Sequence, residues 1–391
     1  MRMTPPEGPE TGCERIPLRT TPASRSRPTP PMSSDPARVS EPEAVRRDEF
    51  REELAAAQHV LTRVPGARSP LVLFDRDVLG AQVELWRRHL AFVEPYFAIK
   101  ACNVPAVLQY FDALGLSFDA ANAGEIRMLE GLGVAPERVV VTHPIRDEED
   151  LRAIARYKPR SLVVDGPAEL RKLQHAGIPG PAYAPELLVR VELPFGGLSG
   201  KYGATVAQPI PQPDGLPRWQ ITDRFVRRIL EEARKVERES GFGFSAFGLS
   251  AHVGTNSTSV DKYLILLRVF EHLSTRLAGH GFDISVFDVG GGYPDLEAPM
   301  LVGATQAGLM AQLGHIMGEF AAAHPRARLV AEPGRFLVSS AGSIVIGVMQ
   351  VDKRRNLFAP DGTSWEVAHL KVQMNDGLYG NLLGERHDDK D

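Results

Sequence analysis

The chain has 391 residues, of which 43% are hydrophobic and 24% charged, with a formal net charge of −4. This is the composition of a soluble globular protein of one large or two ordinary domains, and the faintly acidic balance gives no support to a general nucleic-acid or membrane-surface role. Cysteine occurs only at Cys13 and Cys102, which excludes a disulfide framework and offers no metal-ligand spacing. With no basic-then-apolar signal pattern at the N-terminus, the expected location is the cytoplasm.

Residues 1–44 are dense in Pro, Ser, Thr and Arg and poor in large apolar side chains. Such a segment buries too little surface to offset chain entropy, so a disordered leader is expected. Residues 45–69, with "AVRRDEFREELAAAQHVLTRV", have helical spacing and read as an N-terminal segment packing on the β domain or the barrel predicted below. From about residue 70, short apolar runs alternate with amphipathic stretches. The strand-like runs are "YFAIKA" (96–101), "LSFDAAN" (116–122), "RVVVTH" (138–143), "SLVVDG" (161–166), "ELLVRVEL" (186–193), "FGLSAHVG" (247–254), "DISVFDVGG" (283–291) and "ARLVAEPG" (327–334). Each is short and rich in β-branched residues, as strands buried on both faces should be.

The stretches between them carry helix signals. "PAVLQYFDALG" and "AGEIRMLEGLG" end in glycine, and "DEEDLRAIARY" opens with acids suited to a helix N-terminus. Eight strands with intervening helices predict an α/β fold, a (β/α)8 TIM barrel over residues 70–338. A doubly wound open sheet is the alternative. The run "FLVSSAGSIVIGVMQV" (336–351) is too short for a membrane span and reads as buried strand. With "WEVAHLKVQMNDGLYG" it predicts a β-rich C-terminal domain over 339–391.

In such a barrel the C-terminal ends of the strands line the active site. Read in order, those ends carry Lys100, Asp119, His143, Arg190, His252, Gly290 to Gly292, Glu332 and Arg335. A lysine among apolar neighbours has a disfavoured ammonium form, so its pKa should fall and its amine should become able to form a Schiff base. The plainer reading is a lysine whose stem covers the core while its head reaches water. Gly290, Gly291 and Gly292 expose backbone N–H groups to an anion, and Arg335 after strand eight is a good phosphate partner. Glu332 can face a pyridine nitrogen, His252 can stack on a ring, and Thr255 can bond a phosphate. An aldehyde partner, an anion site and a pyridinium partner together specify pyridoxal 5'-phosphate. Taken singly, a tight turn, a surface salt bridge and a core histidine would each serve.

The ordered pieces "YFAIKA", "SFDAANAGEI", "VVVTHPIRDEEDL", "LLVRVEL", "KYGA", "GLSAHVGTN", "FDVGGGYP", "AEPGR" and "NDGLYG" resemble the fold type III pyridoxal-phosphate decarboxylases. That group contains the ornithine, diaminopimelate, arginine and lysine decarboxylases, and "HVGTN" and "NDGLYG" look nearest to its ornithine-type branch. The resemblance implies that Lys100 holds the cofactor as an internal aldimine and that Glu332 pairs the pyridine nitrogen. It implies that Gly290, Gly291, Gly292, Arg335 and Thr255 bind the phosphate, that His252 stacks on the ring, and that Asp119 and Arg190 order the site. Lys100, His252 and Glu332 are the expected catalytic set, with no metal. It also implies a head-to-tail homodimer, or a partner completing the site, and a place in polyamine biosynthesis.

There are departures. Cys102 stands where the family has Asn, Asn122 where it has Ser, and "THPIR" where the ornithine branch has Asn/His-Pro-Cys-Lys. The sequence ends at "GERHDDKD", before the family's cysteine–aspartate motif and phosphate-binding tyrosine, so an incomplete β domain is expected. The reading is decarboxylation of a basic amino acid, ornithine or lysine. The alternatives are a related-barrel racemase, where an arginine would be expected at the pyridine instead of Glu332, and a non-catalytic decarboxylase-like partner protein.

Overall fold

In a computed structural model, the described residues are 55, 58–63, 70–193, 203–210, 218–254, 257, 259–295, 305–356 and 367–374. The leader over 1–44, most of 45–69, Thr255 and the "NDGLYG" stretch lie outside them. Within 45–69, residues 58–63 are helical, as their spacing suggests.

The architecture is a (β/α)8 barrel with a strand-rich region. Its eight parallel strands are β2 (Val93–Ala98), β3 (Ser117–Ala120), β4 (Val139–Val141), β5 (Ser161–Val164), β6 (Glu186–Glu192), β10 (Ala246–Ser250), β11 (Ile284–Asp288) and β12 (Arg328–Ala331). They pair in that order, β12 returns to β2, and β10 pairs with β6, so the sheet closes on itself. Closure removes both sheet edges and excludes the open doubly wound alternative. All eight runs read from the sequence hold strands; seven strands are shorter than their runs, and β2 is shifted three residues toward the N-terminus of its run.

Tyr96, Val140, Val163, Leu188, Val286 and Val330 fill the barrel interior as one buried cluster. Gly248 on β10 makes room for that layer. A Cβ there would stand 2.6 Å from the Val286 carbonyl oxygen and 2.9 Å from Leu188 Cγ. Below the cluster, Arg328 donates to Glu186 at 2.5 Å, to Glu94 at 2.6 Å and to the Tyr96 hydroxyl at 3.1 Å. Arg160 donates to Glu186 at 3.1 Å. These groups sit at the N-terminal ends of their strands and tie β2, β6 and β12 together across the barrel floor.

The outer helices are α1 (Arg76–Leu90), α2 (Pro105–Ala113), α3 (Ala123–Gly131), α4 (Glu148–Tyr157), α5 (Pro167–His175), α6 (Arg224–Ser240), α7 (Asp261–Ala278) and α8 (Gln306–Ala323). Local sequence sets their starts. Asn122 accepts from the Glu125 N–H and caps α3, so asparagine does here what a serine would do. Asp147 and Asp150 form a reciprocal capping box on α4, and Thr305 caps α8. On α6 the residues Val226, Ile229, Leu230, Ala233 and Val236 are buried at helical spacing, which seats one face on the sheet. Between β6 and α6 lie a short strand β7 (Ala204–Thr205) beside β6 and a hairpin of β8 (Ala207–Ile210) and β9 (Arg218–Ile221).

Two compact units emerge. The first contains Trp86–Pro294 and Ala298–Arg335, and therefore the barrel. The second contains Pro28–Leu85, Asp295–Glu297 and Phe336–Asp391. Its strand β1 (Leu71–Phe74), absent from the sequence reading, pairs antiparallel with β13 (Gly342–Val345). The strands β14 (Val348–Asn356) and β15 (Val367–Met374) form a second antiparallel pair. Among the described residues no helix is long and apolar enough to cross a membrane.

Candidate active site

The strand carrying Lys100 stops earlier than its apolar run. β2 ends at Ala98, and Ile99–Ala101 is a 3-10 turn closed by the Cys102 N–H on the Ile99 carbonyl at 3.0 Å. This turn lifts Lys100 out of the sheet and into the barrel mouth. Its Nζ donates to Asp119 Oδ2 at 3.2 Å and lies 3.9 Å from Glu332 Oε2. The two acids are almost wholly buried, whereas the lysine side chain is 54% exposed. Lys100 therefore stands at the bottom of an open bowl, its ammonium against buried carboxylates and its stem in contact with solvent.

That geometry corrects the expectation of a depressed lysine pKa. Asp119 first, and Glu332 less strongly, hold the Lys100 ammonium above the ordinary lysine range, against the opposing effect of burial. Burial pulls Asp119 toward its neutral form, while Lys100 and Thr142 hold its charge. With the ammonium 3.2 Å away and Thr142 Oγ1 donating to Asp119 Oδ1 at 2.5 Å, the ion pair is the form this geometry favours. The sequence reading passed over Thr142 for its neighbour. His143 Nδ1 instead lies 2.7 Å from the Ile145 carbonyl oxygen, within its own turn.

Arg190 on β6 pairs in register with Ser250 on β10. The imidazole of His252, just beyond β10, lies close enough to Arg190, Lys100 and Asp119 to feel their charges. Burial first, then the Arg190 and Lys100 charges, push its pKa down to about 3. Its Nδ1 accepts the Gly254 N–H at 2.9 Å, so the neutral ring carries its proton on Nε2.

The glycines after β11 serve loop packing as well as openness. Gly290 and Gly292 have φ of +67° and +97°, which favours glycine. A Cβ on Gly290 would lie 2.3 Å from the Ala251 carbonyl oxygen, and one on Gly292 would lie 2.2 Å from that of Gly254. The glycine loop thus locks against the His252 loop. Further bonds fix it: Tyr263 OH to the Gly291 carbonyl at 2.9 Å, the Ser257 N–H to the Gly292 carbonyl at 2.9 Å, and the Glu332 N–H to the Gly290 carbonyl at 2.8 Å.

Asp288, the last residue of β11, is another group the sequence reading missed. It is buried and accepts from the Gly290 N–H and the Ser250 hydroxyl, each at 2.9 Å. Its carboxyl also faces that of Glu332, and burial followed by that acid pushes its pKa well up. Glu332 itself is buried against the Asp288 carboxyl, with Lys100 Nζ 3.9 Å from Oε2, and among the described residues no nitrogen donor comes within hydrogen-bond distance of either carboxylate oxygen. Next to it, Gly334 packs on Ala98 and Ala101, which brings Arg335 to the base of the lysine turn. The structure thus brings Lys100, Asp119, Arg190, His252, the glycines, Glu332 and Arg335 to one end of the barrel. Among the described residues no His, Cys, Asp and Glu cluster could hold a metal.

The chain matches the family described as "Pyridoxal-dependent decarboxylase, pyridoxal binding domain" over residues 76–211 and 228–339. It is 26% identical over 326 residues to a lysine/ornithine decarboxylase of Selenomonas ruminantium, covering 83% of this chain and 72% of that protein. It is 24% identical over 316 residues to antizyme inhibitor 2 of Xenopus laevis, covering 79% of this chain and 63% of that protein. Among solved structures it resembles a lysine/ornithine decarboxylase of Vibrio vulnificus complexed with putrescine. That match has a TM-score of 0.66 and 26% identity, over 86% of this chain and 79% of the other. The family match spans most of the barrel and every strand end just described, and on it the chain belongs to the pyridoxal-dependent decarboxylases, whose cofactor is pyridoxal phosphate.

Proposed function

We propose that this chain decarboxylates a basic amino acid, ornithine or lysine, to an amine and CO2, with Lys100 holding the cofactor. The observation that carries the reading is Glu332. It is a buried carboxylate whose cation, Lys100 Nζ, stands off at 3.9 Å and whose other neighbour is the carboxyl of Asp288, so a ligand that donates a full hydrogen bond to it is favoured. A protonated pyridine nitrogen is such a donor, and the residues around Glu332 fit the rest of pyridoxal phosphate. Gly291, Gly292 and Arg335 would take the phosphate and His252 would lie on the ring face; the Gly290 N–H is already given to Asp288, so Gly290 would serve by shaping the loop, and Thr255, expected as a further phosphate ligand, lies outside the described residues.

Bound pyridoxal phosphate supplies an electron sink for the electron pair left when CO2 departs. The chain does the remaining work. Glu332 keeps the pyridine nitrogen protonated. Once Glu332 is so engaged, Lys100 loses one of the two acids that hold its proton, which makes its amine easier to free. Asp119, steadied by Thr142, stays beside Nζ to take or return that proton. His252 remains neutral, so it adds no charge against a cationic ring. Arg190, whose charge reaches Lys100 and His252, would help order the site around the lysine and the cofactor.

The choice of ornithine or lysine is supported by the Selenomonas relative's name and the putrescine in the Vibrio structure. We read the barrel domain within residues 70–338 and a β-rich domain over 339–391, with Leu71–Phe74 joining the latter through its pairing with β13. We read the working form as a cytoplasmic homodimer in polyamine biosynthesis. A second reading, a decarboxylase-like partner protein, is favoured by the similarity to antizyme inhibitor 2.

The test is an absorbance spectrum with pyridoxal phosphate for wild type and Lys100→Ala, followed by CO2 release from ornithine, lysine, arginine and diaminopimelate. A Lys100-dependent band with CO2 from ornithine or lysine is the expected result. A band without CO2 from any of the four favours the partner reading. No Lys100-dependent band overturns the decarboxylase reading and leaves the partner reading standing.

A further inference from the structure

Helix α7 begins beside the glycine loop, and its second residue is a lysine. Lys262 is only partly exposed, and its ammonium makes no hydrogen bond or ion pair among the described residues. The nearest acid in sequence, Asp261, is exposed and accepts from the Ser259 hydroxyl. Lys262 Nζ instead stands over Gly254, 3.8 Å from where a Cβ would be, with φ of +96° at that glycine. Its charge reaches the imidazole of His252. A partly buried cation without a counter-charge is an unfinished interaction.

A second group, five residues earlier and anchored on the same loop, is also unfinished. Ser257 is 4% exposed, and its hydroxyl oxygen is buried with no hydrogen-bond partner among the described residues. Ser257 is fixed by its own N–H on the Gly292 carbonyl, and Tyr263, next to Lys262, is fixed by its hydroxyl on the Gly291 carbonyl. Both anchors are on the glycine loop. The start of α7 is therefore held in register with that loop, and it offers an ammonium, a free hydroxyl and a helix N-terminus with no side-chain cap. The chemistry common to these groups is that of an anion site.

We propose that Lys262, assisted by the Ser257 hydroxyl, is an additional binding residue for the cofactor's phosphate, on the side of the glycine loop facing α7. The inference rests on the cofactor reading given above. It also gives that reading a charge-based selectivity, because a lysine so placed favours the phosphorylated cofactor over its dephosphorylated form. The plainer role, a stem lying on the helix with its head in water, predicts no such discrimination.

The test measures the affinity of the full chain for pyridoxal phosphate, for pyridoxal and for inorganic phosphate. Wild type is compared with Lys262→Met, Lys262→Arg and Ser257→Ala, following the Lys100-dependent absorbance band and competition by phosphate. Lys262→Met is expected to weaken pyridoxal phosphate about 10- to 100-fold, the scale of a hydrogen bond to a charged group. It should weaken inorganic phosphate in parallel and leave pyridoxal unchanged. Lys262→Arg should recover most of the loss, and Ser257→Ala should show a smaller loss of the same selectivity. Unchanged pyridoxal phosphate affinity in Lys262→Met overturns the proposal, as does an equal loss for pyridoxal, which would mean damage to the loop. A wild type with no Lys100-dependent band overturns the cofactor reading itself, and this inference with it.

Discussion

His252 is an imidazole that its surroundings keep neutral, and that neutrality links folding to pH. Its pKa falls from 6.5 to about 3 on folding. Between those values the unfolded chain binds a proton that the folded chain excludes, so stability rises with pH across the window and is complete above about 6.5. The contribution is about 1.4 kcal/mol per pH unit within the window. Acids such as Asp288, raised by burial, act in the opposite sense, so the informative quantity is a difference between proteins. The stability of wild type minus that of His252→Gln, from urea unfolding at pH 6.5 and at pH 4.5, should fall as the pH falls. Equal pH slopes for the two proteins would show that the imidazole is not held neutral. A neighbouring residue gives a simpler case. Thr142→Val removes the hydroxyl bonded to buried Asp119 and should cost about 1–3 kcal/mol in the same assay. Loss of no more than a few tenths would mean that Lys100 alone satisfies Asp119.

At the scale of elements, two devices carry the barrel: the glycine loop at its mouth and the ion network at its floor. Gly290→Ala forces a Cβ to within 2.3 Å of a backbone oxygen at a positive φ, where neither partner is a flexible side chain. The expected cost is about 3 kcal/mol or more, seen as a lowered unfolding midpoint. At the floor, Arg328→Met leaves Glu94 and Glu186 only Arg160, at 3.9 and 3.1 Å, and a loss of about 1–3 kcal/mol is expected. Changing Glu186 to Gln as well should recover part of it, and a double variant no better than the single one would count against the network. The strands themselves were legible in the sequence, because a strand buried on both faces needs an unbroken β-branched run, and "VVV" or "LLV" between turn residues allows little else. The acids and glycines at their ends followed from strand order alone. Other features depended on side-chain direction or on residues distant in sequence. Whether Thr142 or His143 turns inward is decided by where β4 stops, two residues before the end of the run read from the sequence. The charge state of Lys100 depends on Asp119, 19 residues away, and on Glu332, brought in by barrel closure. Asp288 looked like an ordinary strand residue, although a lone acid ending the apolar run "ISVFD" was the available signal.

For the molecule as a whole, the residues proposed to hold the cofactor come from the ends of six strands: β2, β3, β6, β10, β11 and β12. Every pair of neighbouring strands except β4 and β5 carries at least one of them, so little of the barrel can open without dismantling part of the site. A ligand that binds only the closed barrel therefore stabilises the entire barrel by mass action, by about 2.7 kcal/mol at a hundredfold excess over its Kd. For a domain of this size that corresponds to a rise of about 5–10 °C in melting temperature. The rise should appear in wild type as one cooperative transition of the barrel, and should largely disappear in Lys100→Ala even at the same cofactor concentration. The same measurement separates two origins of binding. If pyridoxal phosphate stabilised Lys100→Ala as much as wild type, the phosphate and pyridine contacts would account for the affinity and Lys100 would contribute only reactivity. A much smaller shift in Lys100→Ala would mean that the lysine, raised into the bowl by one 3-10 turn, couples the cofactor to the stability of the barrel.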